Sequence, residues 1–194
     1  MEPEREAHDL PPTIERAAPG VAAMFQGLRR DGGYAILDMG PAVDPHLRLY
    51  GRYARQVRFA GLVPNPPRGE DWTEAVRALP PNPDQPYDLV LMWDLLDRLI
   101  PEERPRLMAR VTELTSPHAR MHLMVDSSGT PITRPLRFTL LEVDRVAQQP
   151  VGGPVPAQRQ LLPAQLERLL VPFEVVHAYT LRVGFREYMA EKVG

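Results

Sequence analysis

Short apolar runs recur along this chain at intervals that leave room for a helix between them. Each run has four to seven residues and ends beside glycine, proline or aspartate, which is the pattern of β-strands. The strongest is apolar over its last five residues and is followed by Asp94. The four predicted strands are Tyr34–Met39, Val57–Ala60, Tyr87–Trp93 and Ala119–Val125.

Apolar residues recur at helical spacing between these runs. This spacing predicts helices near residues 44–54, 70–79, 101–115 and 163–170. Asp44 and Pro45 are typical of a helix start, because aspartate caps the first turn and proline fits the first helical position. From Thr13 to Leu28 the same spacing is interrupted at Pro19, which predicts two short helical pieces.

The last third of the chain mixes both patterns. Phe138–Val143 fits either a strand or a helix, and Gln148–Gln158 has the composition of a proline and glycine linker. Phe173–Val183 and Phe185–Met189 predict two antiparallel strands joined by a tight turn. Arg182, Arg186 and Glu187 flank that turn, where a solvated or salt-bridged edge is expected.

This alternation predicts an open, mostly parallel sheet with helices on both faces. Ligands bind such sheets beyond the carboxyl ends of the strands, so the loops after Met39, Ala60 and Trp93 are the places to search. The length of 194 residues fits one domain. We expect residues 1–12 to form a flexible N-terminal tail and residues 13–194 to form that domain.

Composition excludes several classes of site and partner. The chain has no cysteine, which removes disulfides, thiolate metal sites and cysteine nucleophiles. The formal charge of −2 gives no global attraction to nucleic acid or to an anionic membrane. No apolar run reaches the roughly 18 residues of a membrane span, and the start is acidic, so we expect a cytoplasmic protein.

The histidines and the arginine-rich residues 48–58 are weak indications of a binding site. No pair of histidines has metal-ligand spacing, so we predict no metal site. Arginines and tyrosines alternate over residues 48–58, a pattern that a nucleic-acid surface would share. On an acidic chain this pattern is more typical of the outer face of a helix.

Three stretches at the predicted strand ends form an ordered set. They are Asp38–Asp44, Phe59–Leu62 and Tyr87–Leu96. Together they resemble the blocks of the class I S-adenosylmethionine-dependent methyltransferases, over about residues 34–190. The resemblance implies a Rossmann-like three-layer α/β sandwich with sheet order 2-1-4-5-7-6 and a C-terminal antiparallel hairpin. Because residues 63–86 are proline-rich where the family's third strand would lie, we expect that strand to be missing and the sheet to have six strands.

The cofactor positions that the resemblance implies are Asp38, Gly40, Ala42, Asp44 and Gly61. The family has glycine where Ala42 and Asp44 stand and an acidic residue where Gly61 stands. A carboxylate at Asp44 that faced the carboxylate of the cofactor would cost about 4 kcal/mol at about 4 Å and a dielectric constant near 20. The alternative is that Asp44 faces away as a helix cap. Without an acid at Gly61, the ribose hydroxyls lose a charged acceptor.

The resemblance places candidate catalytic residues at the end of the strongest strand. Asp94 is a candidate general base or substrate anchor, and Trp93 stands beside the position of the transferred methyl group. The alternative functions are structural: Asp94 would cap the next helix and Trp93 would form a wall of the cleft.

Two functions follow from this pattern. The first is a methyltransferase-like pseudoenzyme with a degenerate S-adenosylmethionine site, which acts as an interaction or regulatory subunit with a protein partner or as a homodimer. The second is an active S-adenosylmethionine-dependent methyltransferase that modifies a small molecule or a protein. Two of the three cofactor signatures are altered, which favours the first function.

Overall fold

The computed structural model describes residues 12–82, 84–129, 134–153, 161–182 and 184–194. The predicted tail, apart from Pro12, lies outside these residues. In chain order the elements are β1 (Ile14–Ala17), α1 (Pro19–Phe25), β2 (Tyr34–Asp38), α2 (Asp44–Tyr50), β3 (Ala54–Phe59), α3 (Gly69–Arg77), β4 (Tyr87–Leu91), α4 (Leu95–Arg98), α5 (Arg104–Leu114), β5 (Thr115–Asp126), β6 (Leu136–Glu142), β7 (Arg145–Pro150), α6 (Pro163–Leu170), β8 (Phe173–Thr180) and β9 (Phe185–Lys192).

A six-stranded sheet forms the centre of the molecule, in the order β3-β2-β4-β5-β9-β8. The first four strands are parallel, and β9 runs antiparallel to both β5 and β8. This is the predicted order 2-1-4-5-7-6 with its antiparallel hairpin. Between β3 and β4 the described residues form α3 and connecting loops, so the expected loss of a third strand is confirmed.

A second sheet of three strands, β1-β7-β6, was not predicted. Its strands are antiparallel, with Arg16 opposite Val146 and Phe138 opposite Gln148. Two sequence predictions are therefore wrong. The first helical piece is strand β1, because its four residues pair with β7. Gln148–Pro150 end strand β7 rather than begin a linker, and residues 154–158 of the predicted linker lie outside the described residues.

The core lies between the central sheet and the elements that cover it. Buried apolar side chains from β2, β4 and β5 fill its centre, and their burial pattern matches the predicted apolar runs. α1 packs against β5, β8 and β9, whereas β6 of the second sheet packs against α2. Among the described residues, no helix is long and apolar enough to cross a bilayer.

Gly20 begins the close approach of α1 to the sheet. A Cβ atom at Gly20 would lie 2.6 Å from Cγ and 2.9 Å from Cδ of Glu187. Glu187 is buried and cannot swing away, because its Oε1 lies 2.7 Å from Nε2 of the buried His122. The glycine therefore sets how closely α1 approaches β9.

We expect Gly20→Ala to lower the free energy of unfolding by about 1–2 kcal/mol, because overpacking outweighs the helix propensity that alanine adds. Urea denaturation measures this change. Gly152→Ala is the matched control, since nothing lies within 4 Å of a Cβ atom placed there. Equal stability of the two variants would contradict the packing constraint.

Candidate functional site

The three loops singled out by the sequence meet at the carboxyl ends of the parallel strands. The loops after β2 and β3 are joined directly by their backbones. Gly61 N donates to Gly40 O at 3.1 Å, and Leu62 N and Val63 N donate to Met39 O at 2.8 and 3.0 Å. These bonds leave the two loops without a gap between their main chains.

Asp38 ends β2 and is fully buried. Its Oδ1 accepts hydrogen bonds of 2.7 Å from Gly40 N and from Trp93 Nε1. Its Oδ2 accepts a 2.7 Å bond from the Tyr50 hydroxyl and lies 3.1 Å from His46 Nδ1. One carboxylate thus connects the turn after β2, helix α2 and the loop after β4.

The protonation states on α2 follow from these contacts. Nε2 of His46 accepts a 2.9 Å hydrogen bond from Leu140 N, which leaves the imidazole hydrogen on Nδ1, and Nδ1 makes no hydrogen bond although it lies 3.1 Å from Asp38 Oδ2. Burial raises the pKa of the Tyr50 phenol well above its usual value, and the charge of Asp38 raises it further. Tyr50 is therefore a permanent donor to Asp38.

Trp93 follows the end of β4 by two residues, next to the last pair between β2 and β4, Asp38 and Leu91. Its backbone has a φ of 53°, in the left-handed region, and its indole turns back towards Asp38. A Cβ atom on Gly40 would lie 3.3 Å from the indole Nε1 and 3.7 Å from Cδ1. The side chain is 2% exposed, and the free face of Gly40 is covered by the ring.

Aromatic rings enclose the indole from both sides. The His46 ring stacks on it at a centroid distance of 5.6 Å, and the Phe138 ring stacks at 5.7 Å with an interplanar angle of 1°. Phe138 belongs to β6, so the second sheet closes over the indole. The crevice between β2 and β4 is filled by side chains of this chain.

Asp94 and Arg98 form a buried ion pair beside Trp93. Arg98 donates through Nε to Asp94 Oδ1 at 2.7 Å and through Nη2 to Oδ2. The same guanidinium donates to Pro64 O at 2.8 Å and Leu136 O at 3.0 Å. Asp94 occupies the N-cap position of α4 but makes no capping bond. The pair instead ties α4 to the loop after β3 and to β6.

Asp97 is the buried carboxyl with the clearest shift in proton affinity. Its Oδ2 accepts a 2.5 Å hydrogen bond from Asp126 N. Burial raises the pKa of Asp97 to about 7, and the charges of Asp94 and Asp126 push it the same way. The bond from Asp126 N and the Arg104 charge oppose this rise.

Glu187 is buried, so of the two predicted alternatives the solvated edge is wrong, whereas its contact with His122 agrees with a salt-bridged carboxylate. Its carboxylate is 1% exposed and faces His122, whose ring meets Trp93 edge-on at 5.6 Å. Arg16 lies partly buried near Glu187. Burial lowers the pKa of the Arg16 guanidinium, and the charge of Glu187 opposes that shift. His122 thus connects the Glu187 carboxylate to the Trp93 indole.

The predicted site residues separate into two groups. Asp38, Gly40 and Trp93 are in contact, and Gly61 bonds to Gly40. The remaining two cofactor candidates, Ala42 and Asp44, are exposed beside them. Asp44 is the first residue of α2, after Val43 at the N-cap position, and makes no capping bond. The alternative prediction that Asp44 is the helix cap is therefore wrong.

Sequence reasoning missed the residues that complete this site. His46, Tyr50 and Phe138 hold the indole and Asp38, and Arg98 neutralises Asp94. The four-residue spacing of His46 and Tyr50, and of Asp94 and Arg98, places each pair on one helix face, which was the available signal. Tyr50 was predicted on an outer helix face, but it is fully buried.

Among the residues that the structure describes, no three histidine or carboxylate side chains come together as metal ligands. No protein-family model matches the chain, and a search of curated proteins found no match.

Solved structures are similar over most of the chain. A Burkholderia thailandensis 1,6-didemethyltoxoflavin-N1-methyltransferase, solved with 1,6-didemethyltoxoflavin and S-adenosylhomocysteine, matches 91% of this chain and 77% of its own, with a TM-score of 0.53 and 19% identity. An S-adenosylmethionine dependent methyltransferase from Mesorhizobium loti matches 90% of this chain and 96% of its own, with a TM-score of 0.50 and 16% identity. The chain has the class I methyltransferase fold.

In open α/β sheets of this kind, ligands bind at the switch point, which is the place where the order of the strands across the sheet reverses. In this chain the switch point lies between β2 and β4. It is bridged by the hydrogen bond from Trp93 Nε1 to Asp38 Oδ1. The fold is therefore that of the class I methyltransferases.

We expect Asp97→Asn to flatten the pH dependence of stability. The pKa of about 7 in the folded chain exceeds that of an exposed aspartate, about 3.9, so the folded chain binds the extra proton between these values. Wild-type stability consequently falls as pH rises from about 4 to about 7, by on the order of 3 kcal/mol from this group. The variant lacks that loss.

Urea denaturation from pH 4.5 to 8 measures this effect. Glu167→Gln, at an exposed position on α6, is the control and should retain the wild-type slope. If Asp97→Asn and the wild type lose stability in parallel, Asp97 does not hold a proton in the folded chain.

Proposed function

We propose that this chain is a methyltransferase-like pseudoenzyme whose cofactor crevice is filled by its own side chains, and that it acts as an interaction or regulatory subunit. The contact of the Trp93 indole with Gly40 and Asp38 carries the proposal. The neighbouring structures with this fold include one with S-adenosylhomocysteine bound. A cofactor held in the same crevice would need the space beside Gly40.

The residues present do not fit S-adenosylmethionine. A glycine beside a ligand is useful because it leaves room where a Cβ atom would stand, and here that room is bordered by Asp38 Oδ1 at 3.0 Å and by indole atoms of Trp93 at 3.3 and 3.7 Å. The stacked rings of His46 and Phe138 prevent a simple sideways movement of Trp93. Gly61 offers no side-chain acceptor for a ribose, and its backbone N–H already donates to Gly40 O.

The carboxylates at the crevice are also occupied. Asp38 accepts hydrogen bonds from three donors, and Asp94 is paired with both Nε and Nη2 of Arg98. Both side chains are at most 1% exposed. A general base must reach the proton that it removes, and neither group faces open space. These contacts support a structural role for Asp38 and Asp94, and a role for the protein outside methyl transfer.

Isothermal titration calorimetry with S-adenosylhomocysteine tests the proposal. We expect no binding by the wild type at ligand concentrations up to about 1 mM, because the ligand would have to displace a buried indole and its hydrogen bond. A dissociation constant in the micromolar range would instead support an active S-adenosylmethionine-dependent methyltransferase that acts on a small molecule or a protein.

Trp93 variants test whether the indole is the barrier. Trp93→Gly removes the ring and suits a φ of 53°, so we expect it to bind S-adenosylhomocysteine at least tenfold more tightly than the wild type. Trp93→Phe keeps a ring in the crevice and should remain silent. Circular dichroism confirms folding of each variant. If a folded Trp93→Gly is also silent, the indole is not what excludes the ligand.

A further inference from the structure

Strand β3 ends the central sheet with an unpaired edge. It pairs with β2 on one side only. Ala60 N donates to Asp38 O, so Arg58 and Gln56 direct their backbone groups towards β2, whereas Val57 and Phe59 direct theirs outward. Within the described part of the chain, no backbone bond reaches this outward side. The edge offers donors and acceptors over six residues, about 20 Å.

This edge is also strongly basic. Arg48, Arg52, Arg55 and Arg58 are all exposed. Arg52 lies 3.6 Å from Glu142, whereas the other three make no ion pair with any residue that the structure describes. The opposite edge, β8, contains no arginine or lysine and exposes Glu174. The two edges therefore differ in charge and select different partners.

We propose that β3 is a docking edge for an extended acidic segment of a partner protein, which adds a strand to the central sheet. Backbone hydrogen bonds to Val57 and Phe59 would hold the segment, and carboxylates would pair with Arg55 and Arg58. Strand addition is a general mode of peptide recognition, in which the main chain supplies affinity and side chains supply specificity. The inference adds a partner class to the interaction role proposed above and rests on it.

The arginines make the edge selective. Charged side chains on a strand edge oppose pairing with neutral or basic strands, which is how edges avoid aggregation. Two copies of this chain joined edge to edge would bring Arg55 and Arg58 of each copy together, so a second copy is disfavoured. An acidic strand turns the same charges into attraction. The free backbone groups favour an extended polypeptide over nucleic acid, which would use the arginines alone.

Fluorescence anisotropy with three labelled ten-residue peptides tests this proposal at low salt. Arg55 and Arg58 lie on opposite faces of β3, so the first peptide repeats Glu-Glu-Thr-Thr, which places glutamates on both faces of an added strand. The second replaces glutamate with lysine. The third is the acidic peptide with every second backbone nitrogen methylated, which removes its ability to pair as a strand. We expect the first to bind at least tenfold more tightly than the other two, and its NMR shift changes to map to β3.

Variants of the full chain locate the site. Arg55→Glu with Arg58→Glu should weaken the acidic peptide at least tenfold. Arg106→Glu with Arg168→Glu is the matched control, because it makes the same charge change at exposed positions on α5 and α6 and should stay within about twofold. Val57→Pro removes one outward N–H at a position where an edge strand tolerates proline, and should also weaken binding.

Several results would overturn the proposal. These are no binding of the acidic peptide, equal binding of its methylated form, equal binding by the doubly reversed Arg55 and Arg58 variant, or shifts that map to β8. A dimer in analytical ultracentrifugation that Val57→Pro dissolves would assign the edge to a second copy. Binding of a 20-nucleotide poly-dT in place of the peptide would assign it to nucleic acid. Calorimetry with S-adenosylhomocysteine tests the filled crevice by a separate measurement, so a failure of the docking edge is distinguishable from a failure of the proposed function.

Discussion

The buried carboxylate of Asp38 is the constraint on which the centre of this molecule depends. A carboxylate removed from water costs several kcal/mol unless donors replace its hydration. Here Gly40, Trp93 and Tyr50 donate hydrogen bonds to it, and His46 Nδ1 lies 3.1 Å from its Oδ2. Each donor belongs to a different segment or helix turn. Satisfying one charge therefore fixes the turn after β2, the rotation of α2 and the inward direction of the indole.

The strand order of the sheet and the contacts at its switch point have different causes in the sequence. Strand order and direction follow from apolar runs and short connections, which many sequences satisfy. The crevice depends on Trp93, whose left-handed backbone and hydrogen bond turn it inward. Phe138 then brings the second sheet over the indole, and Arg98 fastens that sheet at Leu136 O. The cover is held by stacking and by a buried ion pair, both absent from the strand pattern.

Local periodicity predicted the central sheet, because its strands are apolar runs bounded by clear breakers, as at Tyr34–Asp38 and Tyr87–Leu91. It failed at Ile14–Ala17, where four residues of a strand also fit one turn of helix, and at Gln148, whose strand is polar. The sequence indicated the loops of the candidate site but not their contacts. It makes Trp93 the last residue of a strand; it does not give a positive φ or show that Asp94 pairs with Arg98 rather than facing a cleft.

The proposed filled crevice and the open β3 edge both depend on the segment between β3 and β4. The segment between β3 and β4 forms α3 and loops, so β3 has no outer neighbour, and Pro64 of that segment accepts a bond from Arg98. Arg98 in turn reaches β6, which closes over Trp93. The segment that leaves an edge of the sheet free thus also helps to close the crevice. The protein therefore exposes backbone groups and arginines at the β3 edge, whereas Asp38 and Asp94 at its centre are hydrogen-bonded within the chain.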